Sequence, residues 1–189
     1  RRIISILEAG KIPILRKQRF EADDVMATLA RRLASPDFHV YLVSRDKDLD
    51  QLLNENVSLY DPLKDEVVTP SRLFAAKGWR PEQAIEAQTL IGDTVDNVPG
   101  VRGIGEKTAA KLLEKYGTAQ GVIDHADELT PKQRENVLAF RSQIDTTRRL
   151  VTLLDNVEIE FDLEAARIDK FDWPPVKKIF GELGFRKLP

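Results

Sequence analysis

The sequence predicts an α/β portion over residues 1–70 followed by a helical portion over residues 71–189. Three observations carry this reading. Phe38 to Ser44 is a continuous β-branched and aromatic run, the pattern of a buried parallel strand. Val57 to Tyr60 and Glu66 to Thr69 are short strand-like runs around an Asp61-Pro62 turn, as in a hairpin or sheet edge. From Thr69 onward the apolar residues recur at helical spacing, with threonine, proline or glycine at the segment ends.

Taken in order, residues 1 to 9 place Ile3, Ile6 and Leu7 on one helical face. Ile12 to Leu15 is a short apolar run split by Pro13, which predicts an edge strand. Glu21 to Asp24 precedes Val25, Met26, Leu29, Ala30 and Leu33 at helical spacing, with acids where the helix dipole favours them. After the Phe38–Ser44 run, in which His39 is expected to be packed in the core, Leu49, Leu52 and Leu53 mark a short helix. Ser71 to Lys77 is a helix closed by Gly78, and Pro81 opens another at its first turn. A helix to about Tyr116 ends at Gly117, and Thr118 to Ala126 is a short one. Thr130-Pro131 starts a single long helix to about Leu154, on which Arg134, Arg141, Arg148 and Arg149 form a solvated face. An extended piece, Val157 to Phe161, and a last helix, Pro174 to Leu183, complete the chain.

Composition narrows the function classes. An apolar fraction of 42% and a charged fraction of 32% in 189 residues describe a globular chain with ample core. Cysteine is absent, which excludes disulfides and thiolate–zinc sites and is compatible with a cytoplasmic location. No apolar run approaches the ~20 residues of a membrane span. The net charge of −2 does not announce a nucleic-acid binder. A basic face is compatible with it where an acidic site takes up a metal. The opening Arg-Arg-Ile-Ile-Ser-Ile-Leu-Glu reads as the middle of an amphipathic helix, so the chain is expected to be a fragment of something longer.

Three acidic clusters stand at predicted element ends: Glu21, Asp23 and Asp24; Asp46 and Asp48; Asp93 and Asp96. Asp46 and Asp48 directly follow the predicted buried strand, and in open α/β sheets ligands bind outside the carboxyl ends of strands. Asp93 and Asp96 are spaced i, i+3, which on a helical turn points both carboxylates the same way. Each cluster alone also fits helix capping or a solvated turn. Together they suit two hard divalent ions, the arrangement used for in-line phosphoryl displacement.

A glycine-rich turn (Gly100, Gly103, Gly105) follows and opens into a helix at Glu106 or Lys107. Gly103 to Ala109 has the pattern of a helix–hairpin–helix, with Ile104 as its inward apolar peg. A helix N-terminus behind glycines offers backbone N–H groups and a positive dipole end to a phosphate, with Lys107 and Thr108 beside them. Such a device positions a nucleic-acid backbone without reading bases.

The stretches Glu21-Ala-Asp-Asp24, Asp46-Lys-Asp-Leu49 and Gly92-Asp-Thr-Val-Asp-Asn-Val-Pro-Gly-Val-Arg-Gly-Ile-Gly-Glu-Lys-Thr-Ala109 closely resemble the 5′-3′ exonuclease domain of bacterial DNA polymerase I, within the flap endonuclease superfamily. The resemblance is colinear over nearly the whole chain. It implies a PIN-like α/β portion and a helix–three-turn–helix DNA-binding element. It implies Glu21, Asp23 and Asp24 at a first metal site, and Asp46, Asp48, Asp93 and Asp96 at a second. The ions would be Mg²⁺ or Mn²⁺. Gly100, Arg102, Gly103, Gly105, Lys107 and Thr108 would follow duplex phosphates, with K⁺ held by backbone carbonyls of the turn. The family removes RNA primers and displaced 5′ flaps, so DNA is the implied partner, with a fused polymerase region beyond.

One departure accompanies the match. Family members carry upstream aspartates and a basic helical arch, neither of which this sequence contains. The resemblance therefore leaves two expectations: a metal-dependent 5′ nuclease, of which this fragment alone cuts poorly, or a structure-selective DNA-binding module without catalysis.

Overall fold

The computed structural model describes residues 2–185. It contains two compact units, one formed by the chain before Met26 with the chain after Asn156, the other by Met26–Asn156. In the first, α1 (Arg2–Ala9) packs on α9 (Trp173–Glu182). Gly10 is glycine for a steric reason: a Cβ there would lie 2.6 Å from the Phe171 ring. Asp172 donates its backbone N–H to Gly10 O at 3.2 Å and pairs with Lys11 at 3.3 Å. Ile12 to Leu15, expected as an edge strand, is irregular, because Pro13 removes a donor and no neighbouring strand is there to pair with it among the described residues. Val157 to Phe161 is likewise non-repetitive.

The second unit holds the sheet. β1 (Val40–Val43) pairs parallel with β2 (Val57–Asp61), which pairs antiparallel with β3 (Glu66–Val68), in the order β1-β2-β3. The parallel pairing and the hairpin match the sequence reading. The burial of β1 does not: only Leu42 is buried, while Tyr41 and Val43 are 57% and 60% exposed. His39, expected in the core, is exposed just ahead of the strand, where its ring meets the Ser58 hydroxyl at 3.0 Å and the Tyr41 ring at 4.7 Å. An edge strand open on one face keeps alternation, so a continuous apolar run is not proof of two-sided burial. Beneath the sheet, Ala30 from α2 (Ala22–Leu33), Leu42, Leu49, Leu53, Val57, Leu59 and Leu73 form one core.

The helical part has its own core, built on Trp79, Leu90, Ile104, Leu112, Leu113, Val122, Val137 and Phe140. α3 (Pro70–Lys77) is capped by the Thr69 side chain and ends on left-handed Gly78. A 3₁₀ turn at Pro81–Gln83 leads into α4 (Ala84–Ile91), and α5 (Glu106–Tyr116) and α6 (Ala119–Asp124) follow. The long helix read from Thr130 is two helices, α7 (Pro131–Phe140) and α8 (Ile144–Val151). Residues 141–143 form a turn between them, and Val137, Phe140, Ile144 and Val151 are all buried. Arg148 is then no solvated side chain but an ion-pair partner of Glu86 on α4.

Candidate metal centre and phosphate-binding hairpin

Where β1 ends, the chain makes a polar turn before a 3₁₀ helix over Lys47–Leu52. Asp46 caps it, its carboxylate accepting the Asp48 N–H at 3.0 Å, while its own N–H donates to Ser44 Oγ at 3.1 Å. The cap turns Asp46 outward and Asp48 inward. Asp48 is half-buried and accepts a hydrogen bond from Gln88 Nε2 on α4 at 2.6 Å. Burial, then the neighbouring charge of Asp46, pushes the Asp48 carboxyl up to about 6, against the counter-effect of Lys47.

Asp93 and Asp96 are not on a helix. α4 stops at Ile91, and Gly92 takes φ +74. Asp93 and Val98 then exchange two backbone hydrogen bonds, 2.9 and 2.7 Å, closing a turn over residues 93–98. The Asp93 carboxylate accepts the N–H groups of Val95 at 2.7 Å and Asp96 at 3.4 Å, the local bonding by which a short acidic side chain competes with helix. Asp93 is thereby held in place and Asp96 is left exposed beyond it.

These two segments meet through a lysine. Lys47 Nζ lies 2.8 Å from Asp93 Oδ2, and it feels the charges of Asp48 and Asp46 as well. The lysine hydrogen bond is the main reason that the Asp93 carboxyl sits below its usual range. Lys47 thus pairs with Asp93 across the two segments, although no three acids among the described residues stand close enough to hold a metal ion as they are. Beside them an open cavity of ≈ 580 Å³ is lined by Ser44, Asp46, Lys47, Asp61, Arg72 and Lys77, among others.

Glu21, Asp23 and Asp24 belong to the other unit. The Glu21 N–H donates to Asp24 Oδ2 at 3.2 Å, and Asp23 and Asp24 occupy the first turn of α2, both half-buried. Capping accounts for their local geometry.

The glycine turn is a helix–hairpin–helix corner between α4 and α5. Val101 and Ile104 are buried, so the peg points inward as the pattern implies. The corner is tied from three sides: Val101 N–H to Leu90 O at 2.8 Å, Asn136 Nδ2 to Arg102 O at 2.8 Å, and Thr147 Oγ1 to Pro99 O at 3.1 Å. Gly100 and Gly103 are required by the fold. A Cβ on Gly100 would lie 2.2 Å from Ile91 O, and Gly103 has φ +80. Gly105 differs. It has extended φ −105, ψ −177, and nothing lies within 4 Å of a Cβ built there. As the residue preceding α5 it supplies no capping side chain, so no N-cap side chain occupies the helix start beside exposed Arg102 and Lys107 and half-buried Thr108. Sequence reading missed Lys47, Gln88, Asn136 and Thr147, because their roles depend on which segments fold together.

Two family models match the chain. The model for the 5′-3′ exonuclease N-terminal resolvase-like domain matches residues 1–78, and that for the 5′-3′ exonuclease C-terminal SAM fold matches residues 79–174. The chain belongs to the 5′-3′ exonuclease family. Among family proteins, it is 37% identical over 186 residues to the 5′-3′ exonuclease of Aquifex aeolicus, matching 98% of this chain and 63% of that protein. It is 40% identical over 181 residues to DNA polymerase I of Rhizobium leguminosarum, matching 95% of this chain and 18% of that one. The chain therefore spans less than two thirds of the length of these relatives.

Solved structures share the fold. T5 5′-exonuclease with bound divalent zinc ions aligns with a TM-score of 0.66 at 23% identity, over 90% of this chain and 61% of that one. The catalytic core of Rad2 in complex with DNA substrate aligns at 0.61 and 13% identity, over 97% and 64%. Among the described residues no helix is long and apolar enough to cross a membrane.

Proposed function

We propose that the chain supplies the second metal site and the DNA-holding hairpin of a nuclease that hydrolyses phosphodiester bonds from DNA 5′ ends or at 5′ flaps. The observation that carries this is the ion pair of Lys47, which stands between Asp46 and Asp48 beyond β1, with Asp93 from beyond α4. Acids from segments 45 residues apart are held around positive charge in the same unit as an uncapped helix N-terminus behind an open glycine.

The donors present fit a hard divalent cation. All are carboxylate oxygens, with no histidine or cysteine, which suits Mg²⁺ or Mn²⁺ over softer metals. A lysine ammonium standing among them marks a place where positive charge is favoured. In this reading Asp46, Asp48, Asp93 and Asp96 hold the second ion, and Glu21, Asp23 and Asp24 belong to the first. When bound, such ions activate water and stabilise the leaving oxygen of an in-line displacement. Gln88 fixes the Asp48 carboxylate, and Asp93 is fixed by its turn amides, so ligands are oriented before an ion arrives.

Gly100, Arg102, Gly103, Gly105, Lys107 and Thr108 contact the phosphate backbone, with K⁺ on carbonyls of the turn. Residues 1–70 serve as the α/β nuclease part and residues 71–189 as the helical DNA-binding part. Relatives named DNA polymerase I support a polymerase region fused to the parent protein, and a cytoplasmic location fits this work. Family membership favours the enzyme over a binding module without catalysis.

The test is cleavage of a 5′-flap duplex by the parent protein containing this chain, with Mg²⁺ or Mn²⁺. Asp93→Ala is expected to lower the rate at least 100-fold while flap binding in EDTA persists; equal rates would remove Asp93 from the site.

A further inference from the structure

The acid cluster contains its own cation, and a second place for that cation lies next door. Lys47 Nζ is bound to Asp93 at 2.8 Å, with Asp46 and Asp48 acting on the same charge. Lys47 also lines a small cavity of ≈ 30 Å³, together with Asp50, Lys77, Trp79, Gln88 and Glu106. That volume is about one water molecule or one ammonium group.

Gln88, one of the lining residues, carries an acceptor. Gln88 is only 8% exposed, and its amide is committed at Nε2 to Asp48. Its Oε1 is buried and finds no hydrogen-bond partner among the described residues. Rotating the amide would set its oxygen against the Asp48 carboxylate, so the orientation is dictated by Asp48 and the orphaned oxygen is its consequence. Buried acceptors in native proteins are rarely left without a donor. Lys77 is not available, being paired with Asp50 at 2.5 Å. Lys47, which lines the same cavity and reaches Asp93 on a flexible four-carbon stem, is.

We propose that Lys47 is a resident counter-cation of the Asp46–Asp48–Asp93 cluster, displaced when a divalent ion binds, and that its ammonium then moves to Gln88 Oε1 beside Glu106. This rests on the metal reading of the cluster given above. The lysine keeps the acids from repelling one another before an ion arrives, and it must leave for them to close. Divalent binding therefore replaces the ammonium beside the carboxylates with the ion. The displaced ammonium stays within the site and turns away from the carboxylates.

The experiment is Mn²⁺ titration calorimetry on the 189-residue chain and on Lys47→Met, which keeps the stem and removes the charge. Lys47→Met is expected to bind Mn²⁺ about fivefold more tightly, the scale of one partly exposed ion pair released from competition, and to melt at a lower temperature without metal. Equal Mn²⁺ affinity overturns the exchange while leaving the metal site standing. Absence of Mn²⁺ binding in both proteins overturns the metal site and the exchange with it. Should Lys47→Met fail to fold, the lysine ¹⁵Nζ resonances of the wild-type chain decide the matter. The Lys47 signal is expected to shift on Mg²⁺ saturation, with a different end-point in Gln88→Leu. An unmoved Lys47 signal in metal-saturated protein overturns the proposal.

Discussion

Arg148 on α8 lays its guanidinium against the carboxylate of Glu86 on α4, Nε to Oε1 and Nη2 to Oε2, both at 3.1 Å. Glu86 Oε2 also accepts the Ala119 N–H at the start of α6, at 2.7 Å. One carboxylate thus ties three helices, and the bidentate fork makes its geometry specific. Arg148→Met is expected to destabilise by about 2–3 kcal/mol, because it leaves a largely buried carboxylate with one amide for company. At this chain length that is a fall in melting temperature of roughly 4–12 °C. Thermal denaturation followed by circular dichroism measures it, and a change under 1 °C would show the pair to be idle.

The hairpin glycines should separate folding from binding. Gly103→Val forces a β-branched residue to φ +80 and should cost about 1–3 kcal/mol of stability. Gly105→Val meets no atom within 4 Å and has an extended backbone, so its cost is the loss of a favoured cap residue, about 1 kcal/mol or less. It nevertheless puts a side chain where a phosphate would approach α5. Fluorescence anisotropy with two unrelated duplex sequences should show the same loss of affinity for both. A loss confined to one sequence would make the hairpin a base reader.

Gln88 is the donor that orients Asp48. Gln88→Leu keeps the apolar packing and removes that hydrogen bond, so Mn²⁺ affinity is expected to fall roughly tenfold. Calorimetry against the wild-type chain checks it, with the melting temperature as a control for folding.

Asp48 sets a pH dependence of opposite sign to the usual acid. Its carboxyl is pushed up to about 6 in the fold, chiefly by burial, from 3.8. Between those values the folded protein holds a proton that the unfolded chain has released, so this group's contribution to stability falls as pH rises from about 4 to 6. Asp48→Asn removes the effect. Without metal it should raise stability by about 1–2 kcal/mol at pH 7.5, after allowance for partial exposure, and by almost nothing at pH 4. Melting curves at the two pH values check the sign.

Much of this was legible from residues alone. Gly78, Gly117, Thr69 and Thr130 mark helix ends in the structure as their chemistry implies, since caps are local effects. The strands are legible from their β-branched and aromatic runs, and the hairpin from its Asp61-Pro62 turn. What escaped reading depends on tertiary contacts. Spacing put Asp93 and Asp96 on a helical turn, but the chain bends at Gly92, and the Asp93 carboxylate finds closer donors in its own loop. The run from Pro131 reads as one helix because Val137, Phe140, Ile144 and Val151 share one face at helical spacing, and nothing local announces the break at residues 141–143. In the sequence Lys47 is one charge between two acids, and only the return of the chain at Asp93 gives it a partner.

The contact between Gly92 and Gly100 has a consequence for the architecture of the loop they bracket. A Cβ on either would fall 2.5 Å from the backbone nitrogen of the other, so the chain leaves and re-enters the helical part at nearly one point. Residues 93–99 are therefore a detour that α4 and α5 do not need in order to face each other. A variant that joins Gly92 directly to Gly100 should keep the hairpin, the helical core and the DNA affinity that depends on them. It would lose the arm carrying Asp93 and Asp96 and, with Pro99, one of the three ties of the corner. The acids and the hairpin are neighbours in sequence, yet they are detachable parts.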